Sequence, residues 1–235
     1  MTKIQKKYHS TLNLLNYINY SKLEESIWTW ILFEFLSILN SMSNLDVIEK
    51  KARENHVPVM LDDGMEFLVQ YITEHKEITN ILEIGTAVGL SSMKMASIRE
   101  TIHIDTLEVN ENMYQEAMKN IKENKLDNQI VVHLCDGALY KTDKIYDLIF
   151  VDAAKSQYKN YVEHFYNNTK TGSKFVFDNL NFHGIVDNPE LTHNRSTKQL
   201  VGKIKKFRDW IQNEPRFKTV YYREIGDGIA ISEKL

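Results

Sequence analysis

The sequence predicts an α/β fold: a doubly wound, mostly parallel sheet of seven strands, with an antiparallel C-terminal hairpin and a helical N-terminal addition. Three observations predict it. Five short apolar runs recur at regular intervals, at Asn80–Ile84, 102–107, Ile130–Leu134, 148–151 and 174–177. Amphipathic stretches such as 114–121 lie between most of them, and strand alternating with helix gives a parallel sheet covered on both faces. Two later runs, 218–224 and 229–232, flank Gly226-Asp227-Gly228, the pattern of an antiparallel hairpin at a sheet edge.

The elements follow in order. From Tyr8 to about Asn55, apolar residues recur at helical spacing (Ile27, Trp30, Ile31, Leu39), broken by Ser41, Ser43 and Asn44, so residues 1–55 read as the helical addition and 56–235 as the α/β body. Trp28, Trp30 and Phe33 stand too close together for one helix face to bury, and a homodimer through this region is expected. Val57-Pro58-Val59 forces an extended passage, after which Asp62 or Asp63 is placed to cap a helix running through Gln70 and Tyr71. Between the fifth strand and the hairpin a long helix spans about 196–212.

Composition narrows the classes. With 235 residues, 43% of them apolar and 26% charged, the chain is that of a globular domain rather than a disordered or fibrous protein. No run approaches about eighteen apolar residues, so no membrane span is expected. A single cysteine, Cys135, cannot form an internal disulfide, and the first twenty residues lack a signal-peptide apolar core, which together point to the cytoplasm. A formal charge of −3, from 29 basic and 32 acidic residues, speaks against broad nucleic-acid binding but leaves room for a local basic face.

The chemistry-bearing residues cluster at the predicted strand ends. Glu83-Ile84-Gly85-Thr86-Ala87-Val88-Gly89-Leu90-Ser91 directly follows the first strand and opens a helix, the place of a nucleotide-binding turn in a Rossmann-like sheet. The spacing is G-x-x-x-G, so a dinucleotide pyrophosphate, and with it an NAD-dependent dehydrogenase, is a poor fit. Glu83 can meet a cationic amine, such as that of S-adenosylmethionine. Glu108, at the end of the second strand, is placed to accept ribose hydroxyls, and Asp136-Gly137 to meet adenine. A glycine turn alone is often only a turn; three residues on successive strand ends say more. Asp152 follows the fourth strand, and Asp178-Asn179 the fifth. An Asp-Asn pair alone is more often a turn or cap, but two acids from neighbouring strands give hard oxygen ligands suited to Mg²⁺ with open positions.

These motifs, with Val-Asp-Ala-Ala-Lys-x-x-Tyr (Val151 to Tyr158), His56-Val57-Pro58-Val59-Met60 and Gly226-Asp227-Gly228-Ile229-Ala230, resemble the metal-dependent, catechol-type and caffeoyl-CoA-type O-methyltransferases. Within that family the likeness runs nearest to the bacterial tRNA 5-hydroxyuridine methyltransferases. It covers about three quarters of the chain, from near Ile48 to Ser232. The resemblance implies that the Met60 backbone, Glu83, Gly85 and Ser91 surround the methionine end of S-adenosylmethionine, Glu108 its ribose, and Asp136 and Gly137 its adenine. It implies that Asp152 serves both cofactor and metal, that Asp178 and Asn179 complete the Mg²⁺ ligands, and that Lys155 takes or orients the hydroxyl proton. Two departures stand out: Cys135 replaces a common glycine, and Asn181 stands where an apolar residue is usual. His183 reads as a loop residue near the substrate mouth.

The expected acceptor is 5-hydroxyuridine at the wobble position of a tRNA anticodon loop, giving 5-methoxyuridine, because its ring O4 and 5-hydroxyl are adjacent like the two oxygens of a catechol. A small catechol or CoA-linked phenol, which suits the same residues, is the alternative. Arg195, Lys198, Lys203, Lys205 and Lys206 project away from the Leu200, Ile204, Phe207, Ile211 stripe, a face able to meet phosphates. The plain alternative is an ordinary solvated helix face. A binding module keeping only the fold is disfavoured by acids at every expected strand end.

Overall fold

A computed structural model of the protein describes residues 44–235. The residues behind the expected homodimer contact, Trp28, Trp30 and Phe33, lie outside the described residues, as does the helical reading of 8–43. The elements are α1 (Asn44–Glu54), α2 (Asp62–Glu74), β1 (Asn80–Ile84), α3 (Leu90–Ala96), β2 (His103–Glu108), α4 (Glu111–Glu123), β3 (Ile130–Leu134), β4 (Tyr146–Val151), α5 (Tyr158–Phe165), β5 (Thr169–Phe177), α6 (Arg195–Asn213), β6 (Phe217–Tyr222) and β7 (Ile229–Lys234). No helix among them is long and apolar enough to cross a membrane.

The seven strands form one sheet in the order β3-β2-β1-β4-β5-β7-β6. β1 to β5 are parallel, whereas β7 pairs antiparallel with both β5 and β6. The chain winds outward from β1 through β2 to β3, then returns to the other side of β1 for β4. That reversal opens a crevice at the carboxyl ends of β1 and β4, where doubly wound sheets bind ligands.

Alternation along the strands feeds two cores. Ile81, Leu148, Phe150 and Val176 pack on one face under α2, α3 and α4. Leu82, Ile149, Val151, Phe175 and Phe177 pack on the other under α5 and α6. Both faces are apolar, so the central strands read in sequence as continuous apolar runs. α1 joins this body through Ala52, which packs with Val88 and Leu90 at the β1–α3 turn.

Three details differ from the sequence reading. β5 starts at Thr169, five residues before its apolar run, because its first half is polar and held by specific bonds: Ser173 Oγ donates to Tyr146 O at 2.8 Å, and Lys234 Nζ to Thr169 O at 2.8 Å. β4 likewise starts at Tyr146 and carries Asp147, which accepts from Thr79 N (3.0 Å) and Asn80 N (2.9 Å) and pairs with Lys170 at 2.7 Å. Neither Asp62 nor Asp63 caps α2; the N-cap position is Leu61, with no side-chain bond. Other partners take both acids: Asp62 accepts from Arg53 Nη2 at 2.5 Å, and Asp63 accepts from Gly226 N at 2.9 Å, tying α2 to the turn before β7.

Candidate active site

Strand register places the candidate residues together. Ile84 is level with Leu107 on one side and Val151 on the other, and Val151 with Phe177, so Gly85, Glu108, Asp152 and Asp178 all emerge at one end of the sheet. Gly85 permits the closest approach. Its φ is +106°, and a Cβ there would lie 2.1 Å from Asp152 O. The β1 turn therefore lies directly against the β4 turn.

A cavity of about 610 Å³ opens over these turns. Met60, Gly85, Ser91, Glu108, Asp136, Gly137, Asp152 and Lys155 all line it, so most of the residues singled out in the sequence share one space. Glu108 is held by three backbone N–H groups: Ala87 to Oε2 at 2.8 Å, and Val109 and Asn110 to Oε1 at 2.9 and 2.8 Å. A carboxylate has about four acceptor positions, which leaves capacity for a hydroxyl. Asp136 Oδ1 accepts from Ala138 N at 2.9 Å. Gly137 must lack a side chain, since a Cβ would lie 2.8 Å from Ile84 Cγ2 and 3.2 Å from Tyr161 Cε1.

Glu83 is placed differently. It is fully buried outside the cavity lining, its carboxylate accepting from Ser91 Oγ, Ser92 Oγ and Thr106 Oγ1, the last at 2.6 Å. Burial outweighs these bonds and pushes its carboxyl up to about 7. A raised carboxyl binds its proton more tightly folded than unfolded, so the penalty is absent below the unfolded value near 4.5, grows as pH rises, and levels off above about 7. Glu83→Gln should therefore raise stability at pH 8 by up to about 3 kcal/mol and leave it unchanged near pH 4. Urea melts at the two pH values check this; an equal difference at both would refute it.

Asp178 and Asn179 stand beside the cavity rather than in its lining. Asp178 is 1% exposed, and neither of its carboxylate oxygens has a well-formed hydrogen-bond partner, the Asn179 N–H giving only weak help. Burial, and then the neighbouring Asp152 carboxylate, push it up to about 7. Asn179 follows in a left-handed conformation, φ +60°. Across the gap, Lys155 Nζ donates to Asp152 Oδ1 at 3.1 Å. Among the described residues no three His, Cys, Asp or Glu side chains cluster as a metal site. The candidate set is two carboxylates and an amide, and the orphaned oxygens of Asp178 are the kind of group a hard divalent cation satisfies.

Sequence reasoning missed Lys94. It lines the cavity three residues after Ser91, hence on the same helix face, and its Nζ lies 2.5 Å from Glu49 Oε2. Burial of Glu49 is overcome by bonds from Lys94 and Arg53, which hold its carboxyl down to about 2. The i, i+3 spacing from Ser91 was the available signal. Asp227, in the turn before β7, is 6% exposed, with Oδ2 lacking a hydrogen-bond partner. His183 is largely exposed, and its Nδ1 lies 3.7 Å from that oxygen.

The sheet order, the glycine turn after β1 and the acid at the end of β2 define a doubly wound nucleotide-binding enzyme fold with a second acidic centre beside the cavity. A family model described as O-methyltransferase matches residues 38–235, and the chain belongs to that family. It is 34% identical to a Staphylococcus aureus protein of caffeoyl-CoA O-methyltransferase type, with a TM-score of 0.78 over 86% of this chain and 98% of that one. Caffeoyl-CoA O-methyltransferase of Medicago sativa is 26% identical over 210 residues, 83% of this chain and 82% of that protein. The fold also matches a Bacillus cereus O-methyltransferase in complex with S-adenosylhomocysteine, with a TM-score of 0.70 at 22% identity over 83% of this chain and 92% of that one.

Proposed function

We propose that the protein moves a methyl group from S-adenosylmethionine to a hydroxyl beside a second oxygen on a small catechol or CoA-linked phenol, with Mg²⁺ held by Asp152, Asp178 and Asn179. The observation that carries this reading is the buried carboxylate of Asp178, without a well-formed hydrogen-bond partner, next to Asp152 and beside a cavity lined by the cofactor-type residues. The caffeoyl-CoA O-methyltransferase relatives support the acceptor class. The cavity wall at Gly85 and Ser91 receives the methionine end, Glu108 accepts the ribose hydroxyls, and Asp136 and Gly137 border the adenine. Bound Mg²⁺ supplies Lewis acidity that eases ionisation of the acceptor hydroxyl. Lys155 Nζ, which donates to Asp152 Oδ1 at 3.1 Å, orients the acceptor hydroxyl and steadies the oxyanion as its proton passes to solvent. The oxyanion attacks the sulfonium methyl; the C–O bond forms, the C–S bond breaks, and S-adenosylhomocysteine leaves. An anion meets a cation, so the protein's contribution is mainly positioning and ionisation.

A second reading, 5-hydroxyuridine at the wobble position of tRNA going to 5-methoxyuridine, is favoured by one observation. Arg195, Lys198, Lys203, Lys205 and Lys206 are all exposed on α6 while Val201, Ile204, Phe207 and Ile211 are buried, and a cationic face of this kind suits phosphates. Labelled S-adenosylmethionine with Mg²⁺ is offered to a catechol, to caffeoyl-CoA and to tRNA lacking the final methyl. Label is expected in a phenol and none once EDTA is added. Transfer to tRNA alone would replace the phenol reading with the second; full transfer in EDTA would remove the metal.

A further inference from the structure

The geometry points to Asn181 as a positioning residue for the Asp178–Asn179 pair, locked by a polar relay that runs from Asp187 through Arg208 and Tyr221. This inference rests on the metal reading proposed above.

The segment after Asp178 is in an unusual conformation. Asn179, Phe182 and His183 have φ of 60°, 47° and 55°, and none is glycine. Side chains seldom enter this region, and a segment holding three such residues persists only where its surroundings fix it. Part of the hold is backbone from the turn before β7: Leu180 N donates to Gly228 O at 2.9 Å and Asn181 N to Asp227 O at 2.7 Å. His183 N donates to Asp227 Oδ1 at 2.6 Å.

A further part is the side chain of Asn181. Its Nδ2 donates to Arg223 O at 2.8 Å, and its Oδ1 accepts from the Tyr221 hydroxyl. Tyr221 Oη in turn accepts from Arg208 Nη1 at 3.2 Å, and Arg208, 7% exposed, is held by both carboxylate oxygens of Asp187. Every hydrogen runs one way, from guanidinium to phenol to amide, so the amide has one favourable orientation. Gly228 makes the space: a Cβ there would lie 2.7 to 2.9 Å from the Asn181 side chain. An apolar residue at 181 can make neither bond. The departure noted in the sequence thus has a physical role, two residues beyond the ligand pair.

The test is Mn²⁺ binding to the full chain, followed by electron paramagnetic resonance of the free ion, beside metal-free S-adenosylhomocysteine binding by calorimetry. Tyr221→Phe, which keeps the ring and removes the hydroxyl, and Asn181→Leu are each expected to weaken Mn²⁺ binding about tenfold or more, as loss of a group that orients ligands commonly does. S-adenosylhomocysteine affinity should stay within about twofold. A general packing defect would not divide the two ligands in this way. Asp178→Ala should abolish Mn²⁺ binding. If it does while Tyr221→Phe binds Mn²⁺ like the wild type, the inference is overturned and the metal reading stands. If the wild type binds no Mn²⁺, the metal reading fails and the inference with it.

Discussion

Gly85→Ala is expected to cost about 3 kcal/mol or more of folding stability and to abolish methyl transfer. Two separate effects meet at this position. The φ of +106° strains any residue with a Cβ, and the added carbon would lie 2.1 Å from the carbonyl oxygen of Asp152 and 2.9 Å from its carbonyl carbon. Those atoms are backbone at the end of β4, so no rotamer change relieves the overlap. Only separation of the β1 and β4 turns does, and that displaces Asp152. Gly172→Ala is the control, with φ +84° and nothing within 4 Å of the new carbon; it should lose only about 1 to 2 kcal/mol, the left-handed penalty alone. Urea denaturation of the two variants, with S-adenosylhomocysteine titration of the Gly85 one, measures the difference. Equal losses in both, or wild-type affinity in Gly85→Ala, would show that the β1–β4 approach does not matter.

The same contrast between apolar and polar information governs what could be read from the sequence. Strands that bury both faces announce themselves, and β1 and β3 fall on the expected residues. Strand segments held by hydrogen bonds do not, which is why the polar first half of β5 and the Tyr146-Asp147 start of β4 lay outside the apolar runs. The hairpin was legible from Gly226-Asp227-Gly228, but its insertion was not: β7, the later strand, pairs with β5 and leaves β6 at the edge. That choice depends on Ile229, Ala230 and Ile231 being buried while Val220 stays 44% exposed. Individual acids were the least predictable. Asp62 and Asp63 each occur at positions with an obvious local role, yet Arg53 and Gly226 N, on other elements, claim them. The strand-end residues share one place because register, a property of the whole sheet, carries them there.

Asp178→Asn is expected to lower methyl transfer about a thousandfold or more at saturating S-adenosylmethionine and Mg²⁺, while the metal-free protein at pH 8 melts no lower than the wild type. The first half follows from the scale of Lewis-acid assistance, several kcal/mol, at about 1.4 kcal/mol per tenfold in rate. The second follows from burial. Asp178 is 1% exposed with Asp152 nearby, and burial outweighs the help of the Asn179 N–H and the Lys155 cation, so in the absence of a metal ion the folded state carries a costly buried charge. Asparagine keeps the volume and removes the charge. Most substitutions of buried polar residues are destabilising; on the metal reading proposed above this one should separate activity from stability, because the carboxylate's benefit would come from the ion and its cost is present without one. Initial rates and melting curves in EDTA, with and without added Mg²⁺, are the measurements. Added Mg²⁺ should raise the wild-type melting temperature and leave that of Asp178→Asn where it was, since only a protein that binds the ion gains stability from it. A variant retaining more than a tenth of wild-type activity, or one stabilised by Mg²⁺ as much as the wild type, would take Asp178 out of the metal site.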